Sequence, residues 1–524
     1  MIVDLENSDD SDLQCDLCLV GSGAAGLAIA SEMANTRFKT VIVESGGLHP
    51  EPPTQALYDV AISGLPHPGS TQGRFRICGG STTQWGGQAL PLMPMDFERR
   101  DWVANSGWPI SFEELVPYYT RACRFLMVDD RNFDSDLFVL LKTRPPVFDE
   151  RLRYHFSKWS PKPSVREQYL PGLRTSDRCT LLLHANLTSI RLDGNFNRVE
   201  RIEVQSLGGK KTTIRARTFV LCAGGIETAR ILLTNNQQQP NGIGNEHDLV
   251  GRFFQDHPSA MIGWLKTSDS KNAQQLLNVF HKNGLKYSVR CTANPAWQRE
   301  KKTLNVSMGT TFIESGAALQ DAKDVYRAMR NGQIDGIFVR KLWQAARDPG
   351  ATVLPAWHYL AHGRSYSPGA AMRIGLTSEQ EPNPESRVLL SDQVDALGTP
   401  RSNVRWALTD LTRYTIRQYA LLLREEFAQA NIGEIELDDW VLDDAQPWTD
   451  HITDQFHHIG TARMSDSPHT GVVDRNCRIH SVSNLYIASS AVFPTSGHSN
   501  PTLTIIALCM RLADRLKIEL PDYE

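Results

Sequence analysis

The chain has 524 residues, of which 41% are hydrophobic and 22% are charged, and its net charge is −4. These values are typical of a globular protein with one large or several ordinary domains, and they exclude disordered, collagen-like and coiled-coil classes. Because 55 basic residues face 59 acidic ones, the charge gives no indication of a nucleic-acid partner.

The N-terminus and the cysteines indicate where the protein resides. Residues 1–14 contain five acidic and no basic residues, which is unlike a signal or transit peptide and predicts a short acidic tail. No apolar run approaches the ~20 residues of a membrane-spanning helix. The nine cysteines are dispersed and odd in number, as in proteins of a reducing compartment. We therefore expect a soluble, cytoplasmic protein without a membrane segment.

A glycine-rich turn near the N-terminus predicts a dinucleotide site. An apolar strand at 16–20 leads into Gly21-Ser22-Gly23-Ala24-Ala25-Gly26, and a helix at 27–33 and a second strand at 40–44 follow. This is the context in which G-x-G-x-x-G binds a pyrophosphate at the N-terminus of a helix. Gly21 permits the tight turn, Gly23 the approach of the pyrophosphate, and Gly26 the packing of helix on strand. Glu44 closes the second strand, where an acid can accept both ribose hydroxyls.

Further segments predict that this domain is assembled from distant parts of the chain. Residues 79–87 contain four glycines and are flanked by Arg74 and Arg76, which predicts backbone brought close to a cofactor. A buried strand at 218–223 ends at Gly224-Gly225 and precedes a helix at 226–233. Near the C-terminus, a strand at 484–488, a Pro- and Gly-containing turn at 493–503 and a helix through 516 repeat this order.

Residues 266–440 have a different character, with more Gln, Asn and Lys, and predict a strand-rich second domain with helices. Before that region, a capping box, Ser111 to Glu114, opens a helix, and 181–192 and 199–205 are predicted strands. Strands at 386–390 and 403–406 flank a turn at 395–400, as in a hairpin, and a helix runs from 410 to about 433.

Several kinds of site are not indicated. The chain has no Walker A motif, no H-E-x-x-H and no G-x-S-x-G, which argues against a P-loop enzyme, a zincin and an α/β-hydrolase. Cys15 and Cys18 lie three apart on a strand and so point to opposite faces. His457 and His458 are adjacent, with no third ligand at a helical or turn spacing. We expect no metal.

The residues that remain suit alcohol oxidation. Hydride transfer from an alcohol needs a base for the hydroxyl proton, and a neutral histidine such as His457 can serve because its ordinary pKa of ~6.5 lies near working pH. A carboxamide such as Asn500 can hold the substrate oxygen without adding charge. Taken alone, a histidine such as His457 is more often a structural residue, and an asparagine such as Asn500 is more often a turn residue.

Taken together, these motifs resemble the glucose–methanol–choline oxidoreductases. The resemblance rests on Gly21 to Gly26 with Glu44, on 79–87, on Gly251-Arg-x-Phe-x-Asp-His257, on His457-His-x-Gly-Thr461 and on Asn500-Pro-Thr502. These motifs extend over essentially the whole chain. Within the family, 378–387 and 496–504 are most similar to the pyranose-oxidase-like branch of bacterial sugar and glycoside oxidases.

The resemblance implies FAD as the cofactor and assigns residues to it. Glu44 would contact the adenosine ribose. The remaining cofactor-binding residues would be Gly21, Gly23, Ala24, Ala25, Gly26, Gly80, Ser81, Thr82, Leu187, Ala223, Gly224, Ser489, Pro501 and Thr502. His457 would accept the hydroxyl proton while the hydride moves to flavin N5, and Asn500 would orient the oxygen.

Two departures from the family pattern are visible. Where covalent relatives carry a flavin-linked histidine, this chain has Gln84, so we expect dissociable FAD. Where the family commonly has an aspartate, this chain has Ser489, which puts the pyrophosphate contact at that position in doubt.

The expected fold is α/β: a Rossmann-type FAD-binding domain assembled from discontinuous segments (1–95, 175–265 and 445–524) and a strand-rich α+β substrate-binding domain (96–174 and 266–444). The expected activity is oxidation of an alcohol, above all a secondary hydroxyl of a sugar or glycoside, with oxygen or a quinone as electron acceptor. Alternatives are a non-sugar alcohol or natural product as substrate, a redox-neutral lyase of the same fold, and a cofactor-binding scaffold without catalysis.

Overall fold

A computed structural model of the chain describes residues 1–8, 12–134, 137–140, 145, 148, 150–313, 321, 324–325, 336–346, 355, 357–359 and 361–520. The strands are Ile2–Asp4 (β1), Asp12–Val20 (β2), Thr40–Val43 (β3), Val60–Ile62 (β4), Gln88–Ala89 (β5), Leu152–Trp159 (β6), Cys179–Leu183 (β7), Asn186–Leu192 (β8), Val199–Gln205 (β9), Lys211–Leu221 (β10), Ser259–Lys266 (β11), Val279–Lys282 (β12), Leu285–Ala293 (β13), Val306–Ile313 (β14), Ala371–Ser378 (β15), Arg387–Val394 (β16), Pro400–Arg405 (β17), Glu434–Leu437 (β18) and Leu485–Ile487 (β19).

The helices are Ala24–Met33 (α1), Pro52–Gln55 (α2), Gly69–Gln72 (α3), Pro94–Phe97 (α4), Phe112–Phe125 (α5), Leu137–Leu140 (α6), Val165–Thr175 (α7), Gly224–Thr234 (α8), Ser270–Leu277 (α9), Pro295–Lys301 (α10), Gly336–Ala346 (α11), Asp410–Gln429 (α12), Asp439–Leu442 (α13) and Thr502–Glu519 (α14). Helix α5 begins at the predicted capping box, in which Ser111 accepts the backbone N–H of Glu114 and Glu114 accepts that of Ser111.

The first sheet is the predicted nucleotide-binding sheet. Its strand order is β1-β7-β3-β2-β10-β9-β8, and β19 also pairs with β10. Strands β1, β7, β3, β2, β10 and β19 are parallel neighbours, whereas β8 and β9 add antiparallel strands at one edge. Leu17, Cys18 and Leu19 on β2 have no exposed surface, as expected for a parallel strand that is covered on both faces. The sheet therefore joins residues from both ends of the chain.

A second, largely antiparallel sheet forms the strand-rich part of the molecule. Its order is β18-β11-β15-β14-β13-β6-β5, and β12 pairs with β13. Strand β11, residues 259–266, belongs to this sheet, although the predicted boundary at 265 places most of it in the FAD-binding domain. The chain therefore passes into the second sheet shortly after Asp256-His257. A small third sheet, β16-β17-β4, joins the predicted hairpin to the N-terminal part of the chain.

Two local predictions were wrong. The N-terminus is not a free tail, because Ile2 and its neighbours pair in parallel with β7; residues 9–11 of that segment lie outside the described residues. The single strand predicted at 181–192 is two strands, β7 and β8. His184 between them has a φ of 53°, a left-handed conformation that interrupts an extended strand.

The prediction for Cys15 and Cys18 is confirmed: both lie on β2 as free thiols, one partly exposed and one buried. Among the described residues, no helix combines the length and apolarity needed to cross a bilayer.

Candidate active site

One cavity of about 740 Å³ brings the predicted site residues together. It lies at the carboxyl ends of β2, β3 and β10, where open α/β sheets bind their ligands. The predicted residues in its wall are Gly21, Gly23, Ala24, Ala25, Glu44, Gly80, Ser81, Thr82, Leu187, Ala223, Gly224, Ser489, Pro501, Thr502, His457 and Asn500. Gly26 is the predicted residue that is absent from the wall, because it packs behind the turn.

The glycine turn has the shape that a pyrophosphate requires. A side chain at Gly26 would place Cβ 1.9 Å from the carbonyl oxygen of Gly21, so helix and turn are in close contact there. A Cβ on Gly23, by contrast, would meet no atom within 4 Å, because the position borders the cavity. Gly23 also precedes α1 without a side-chain cap, so the first N–H groups of the helix are available to an anion. The residues present therefore fit the phosphates of a dinucleotide.

Glu44 lies at the end of β3 and is buried. Its carboxylate accepts hydrogen bonds from the backbone N–H and hydroxyl of Ser22, at 3.0 and 2.6 Å, and from the N–H of Gly46 at 2.9 Å. Burial raises the pKa of Glu44 above its ordinary value, although these hydrogen bonds and Arg76 oppose the shift. These contacts tie the acid to the glycine turn, at the position where the sequence predicts a ribose contact.

A buried cluster of charges forms another part of the wall. Arg76 and Arg230 donate to Glu227 at 2.6 and 3.2 Å, and Arg230 also pairs with Asp395 at 2.5 Å. Arg74 lies beside them, 3.9 Å from Glu227, and burial lowers the pKa of its guanidinium to about 10.

Three guanidinium groups face two carboxylates in this cluster, and Arg76 also acts on the buried carboxylate of Glu44. The cluster therefore brings guanidinium groups to the wall of the cavity. Sequence analysis noted Arg74 and Arg76 but missed the acids and Arg230, because the cluster combines segments that are far apart in the chain.

The proposed catalytic residues meet in the wall of the same cavity. His457 Nε2 lies 3.2 Å from Asn500 Nδ2, although the two residues are 43 positions apart. The pKa of His457 is lowered to about 3, mainly by burial and further by His257, while Asp256 opposes the shift. The histidine is therefore neutral near pH 7, as a general base must be.

A carboxylate lies behind this pair. Asp256 Oδ2 accepts the backbone N–H of His457 at 2.8 Å and lies 3.1 Å from His67 Nε2. Burial alone would raise the pKa of Asp256, but the hydrogen bond from His67 and the nearby imidazoles of His67 and His457 outweigh it and hold that pKa well below its ordinary value. An ionised aspartate thus lies close to the proposed base.

The fold brings further possible ligand groups close to His457 and His458, although none lies at a helical or turn spacing in the sequence. Asp256 groups with His67 and His458, and also with His257 and His457, each set with ligand atoms within 4.8 Å of one another. These residues are distant in sequence, so spacing could not reveal them.

The hydrogen bonds nevertheless favour proton networks over metal sites. The backbone N–H of Ser70 donates to His67 Nδ1 at 3.2 Å, so the proton of a neutral His67 is on Nε2 and that atom cannot ligate. In the second set the two Nδ1 atoms are 2.7 Å apart, which is a hydrogen-bond distance. Two nitrogens bound tetrahedrally to zinc at ~2.0–2.1 Å would lie about 3.3 Å apart.

Aromatic and amide side chains line other parts of the cavity wall. These are Gln84, Trp85, Gln88, Trp159, Gln455 and Phe456. The indole N–H of Trp85 donates to the carbonyl of Pro163 at 2.7 Å, which holds the ring in place. Of this set, Gln84 and Trp85 lie in the glycine-rich segment 79–87 that the sequence marks. The others come from β5, β6 and the loop before His457, and no motif marks them.

Comparison with known proteins agrees with these observations. Residues 382–509 match the family model described as GMC oxidoreductase. The chain is 24% identical to the fructose dehydrogenase large subunit of Gluconobacter japonicus, over 96% of this chain and 98% of the relative. It is 24% identical to 2-methyl-1,2-propanediol dehydrogenase of Mycolicibacterium austroafricanum, over 97% and 96%. Among solved structures, formate oxidase superposes with a TM-score of 0.58 over 97% of this chain and 99% of that one, at 17% identity, which supports the fold.

Fold, cavity and relatives together define a flavin-dependent oxidoreductase whose cofactor is FAD. More specifically, residues 382–509 match the model of the GMC oxidoreductases, the family that the motifs of the chain resemble. The predicted α/β class with a second, sheet-rich domain is also confirmed. The roles of individual residues stay predictions.

Proposed function

We propose that this protein oxidises a secondary hydroxyl of a sugar or glycoside, with His457 as general base and Asn500 orienting the substrate oxygen. The observation that carries the proposal is the 3.2 Å separation of His457 Nε2 and Asn500 Nδ2 in the wall of the cofactor cavity. One alcohol oxygen can contact both atoms at that separation.

The residues of the chain have separate tasks. Asn500 donates a hydrogen bond to the alcohol oxygen and holds the O–H toward His457, without adding charge. Neutral His457 accepts the hydroxyl proton on Nε2 as the C–H bond breaks and the C=O bond forms. Bound FAD supplies the two-electron acceptor for the hydride. Asp256 lies close enough to stabilise the imidazolium that His457 becomes.

The walls of the cavity favour a carbohydrate over a small aliphatic alcohol. Trp85 and Trp159 offer aromatic surface to the C–H face of a sugar ring, and Gln84, Gln88 and Gln455 offer amides to its hydroxyls. The name of the fructose dehydrogenase relative supports a sugar. The name of the 2-methyl-1,2-propanediol dehydrogenase relative supports a small diol as the competing substrate class.

Anaerobic mixing of the holoenzyme with panels of sugars, glycosides and aliphatic diols tests the proposal. A sugar or glycoside should bleach the flavin absorbance, and the product should carry a ketone at the oxidised carbon. Bleaching by diols alone would contradict the sugar assignment, and turnover without bleaching would indicate a lyase. Reoxidation of the reduced enzyme by air or by a quinone then identifies the class of acceptor.

A further inference from the structure

His257 lies behind the proposed base and has no described role in the chemistry. It is fully buried, and it follows Asp256 in the segment that leads into β11. Its Nδ1 is 2.7 Å from Nδ1 of His457, and its Nε2 is 3.3 Å from the backbone carbonyl of Ser496. The two imidazole rings meet at 76°, with centroids 4.9 Å apart. His257 thus bridges a fixed backbone acceptor and the proposed catalytic ring.

The positions of the protons on His257 and His457 follow from the groups that they contact, beginning with the carbonyl of Ser496. A carbonyl oxygen can only accept, so the contact with Ser496 requires the proton of a neutral His257 to be on Nε2. Burial lowers the pKa of His257, with Asp256 opposing, so the ring carries one proton. Its Nδ1 then has a lone pair. Two lone pairs cannot face each other at 2.7 Å, so Nδ1 of His457 carries the proton of that hydrogen bond.

The remaining nitrogen of His457 is therefore the unprotonated one. Nε2 presents its lone pair on the side of Asn500, whose amide nitrogen is 3.2 Å away and can donate to it. Both His457 and Asn500 lie in the wall of the cavity that the predicted cofactor residues line. All three contacts agree on one tautomer.

We propose that His257 is a positioning residue that holds His457 as the Nδ1–H tautomer and so leaves Nε2 free to accept the substrate proton. The inference rests on the proposed role of His457 as the base. The hydrogen bond strengthens when His457 becomes an imidazolium, because a charged donor then faces the lone pair of His257. His257 keeps its own proton throughout, and no proton leaves the pair through it.

Two amide substitutions at one position separate this role from a packing role. The side-chain oxygen of asparagine can take the place of imidazole Nδ1, so His257→Asn keeps an acceptor for His457. The amide nitrogen of glutamine can take the place of Nε2, so His257→Gln keeps the donor to Ser496 but places no acceptor opposite His457. Both variants are polar and close in size to histidine. Thermal unfolding and bound FAD per chain report whether each retains the holoenzyme fold.

We expect His257→Gln to lower the rate of anaerobic flavin reduction on the order of 10- to 100-fold, the effect of losing a hydrogen bond to a charged group. The apparent substrate affinity should change little. His257→Asn should recover most of the lost rate. Equal losses in both variants, or a loss in apparent affinity alone, would overturn the proposal.

A direct measurement does not depend on how the two His257 variants fold. In 15N-histidine-labelled wild-type holoenzyme, the His457 signals, assigned by their loss in His457→Ala, should show a protonated Nδ1 and an unprotonated Nε2. The opposite tautomer would refute the inference. If instead His457→Ala reduces its flavin at the wild-type rate, the proposed function fails at the base itself, and the tautomer measured in the wild type still decides the inference about His257.

Discussion

The carboxylate of Asp256 anchors the backbone of His457, accepting its N–H on Oδ2 at 2.8 Å. The other carboxylate oxygen accepts the N–H groups of His257 and Gln455, at 2.6 and 3.0 Å. One buried acid therefore fixes the main chain on both sides of the contact between the two histidines. The position of the base depends on a residue 201 positions away in the chain.

Replacing this acid should damage both stability and rate. In Asp256→Asn the amide nitrogen must face a backbone N–H, which leaves a buried donor unsatisfied at a cost of about 1–3 kcal/mol. The negative charge near the developing imidazolium is also lost. We expect a lower melting temperature of the holoenzyme and a roughly tenfold or greater fall in flavin reduction.

Asp454 offers a matched control for that variant. It is buried in the same network and accepts the N–H of Gly69 at 2.6 Å. Burial raises its pKa, with the nearby Asp256 adding to the shift. Because Asp454 accepts the N–H of Gly69 whereas Asp256 accepts that of His457, Asp454→Asn should leave the rate of flavin reduction within a few-fold of the wild type. Equal rate losses in both variants would show that Asp256 has no special relation to His457.

Parts of this arrangement were predictable from sequence because they are local. The glycine turn, α1 and Glu44 lie within one strand–helix–strand unit, and the spacing of the glycines and of the acid predicts how they are arranged. Residue chemistry made His457 and Asn500 candidates, but only the family resemblance joined them as a catalytic pair. The contact of His257 with His457 spans 200 positions, and neither residue has a periodicity that marks it. The passage of β11 into the second sheet depends likewise on pairing with β15 and β18, which no local pattern encodes.

The roles of His457 and Asn500 predict different losses on truncation. Removing a general base costs ~10²–10⁴ in rate, so His457→Ala should retain FAD and reduce it that much more slowly. Asn500→Ala should lose on the order of 10- to 100-fold, because one oriented donor is removed. Stopped-flow reduction at saturating substrate measures both. Wild-type reduction rates in His457→Ala would eliminate it as the base, and an unchanged Asn500→Ala would remove the orienting role.

Two glycines of the same turn should respond oppositely to alanine. In Gly26→Ala the new Cβ would lie 1.9 Å from the oxygen of Gly21, so we expect severe destabilisation and little folded protein. In Gly23→Ala the Cβ meets no protein atom within 4 Å. That variant should fold, yet bind FAD more weakly, because the methyl group occupies cavity space. FAD titration of the apoprotein, followed by thermal unfolding without cofactor, separates the effects. Unchanged FAD affinity in Gly23→Ala would contradict a pyrophosphate at this turn.

The flavin should be dissociable. Gln84 lines the cavity, and the family resemblance implies that it stands where covalent relatives carry a histidine. An uncharged carboxamide is a poor nucleophile toward the flavin methyl group. Acid precipitation should therefore leave a colourless pellet and a yellow supernatant. A yellow pellet would show a covalent bond, and peptide mapping would then locate it.

The depressed pKa of His457 and of its neighbour His458 predicts how the protein responds to acid. Burial is the main cause in both, and both values lie at about 3, below the ~6.5 of a histidine in the unfolded chain. Between these values the unfolded state binds more protons, so the free energy of unfolding should decrease as the pH falls from 6.5 toward 3. Each histidine contributes at most about 1.4 kcal/mol per pH unit.

The base itself is already neutral throughout this window, so the flavin reduction rate should be independent of pH from about 5 to 8. Urea unfolding near pH 7 and pH 5 measures the change in the free energy of unfolding. In His457→Ala this free energy should depend less steeply on pH, because the proton taken up by one histidine on unfolding is missing. A rate that falls with a midpoint near pH 6.5 would assign the proton acceptor to a histidine with an ordinary pKa.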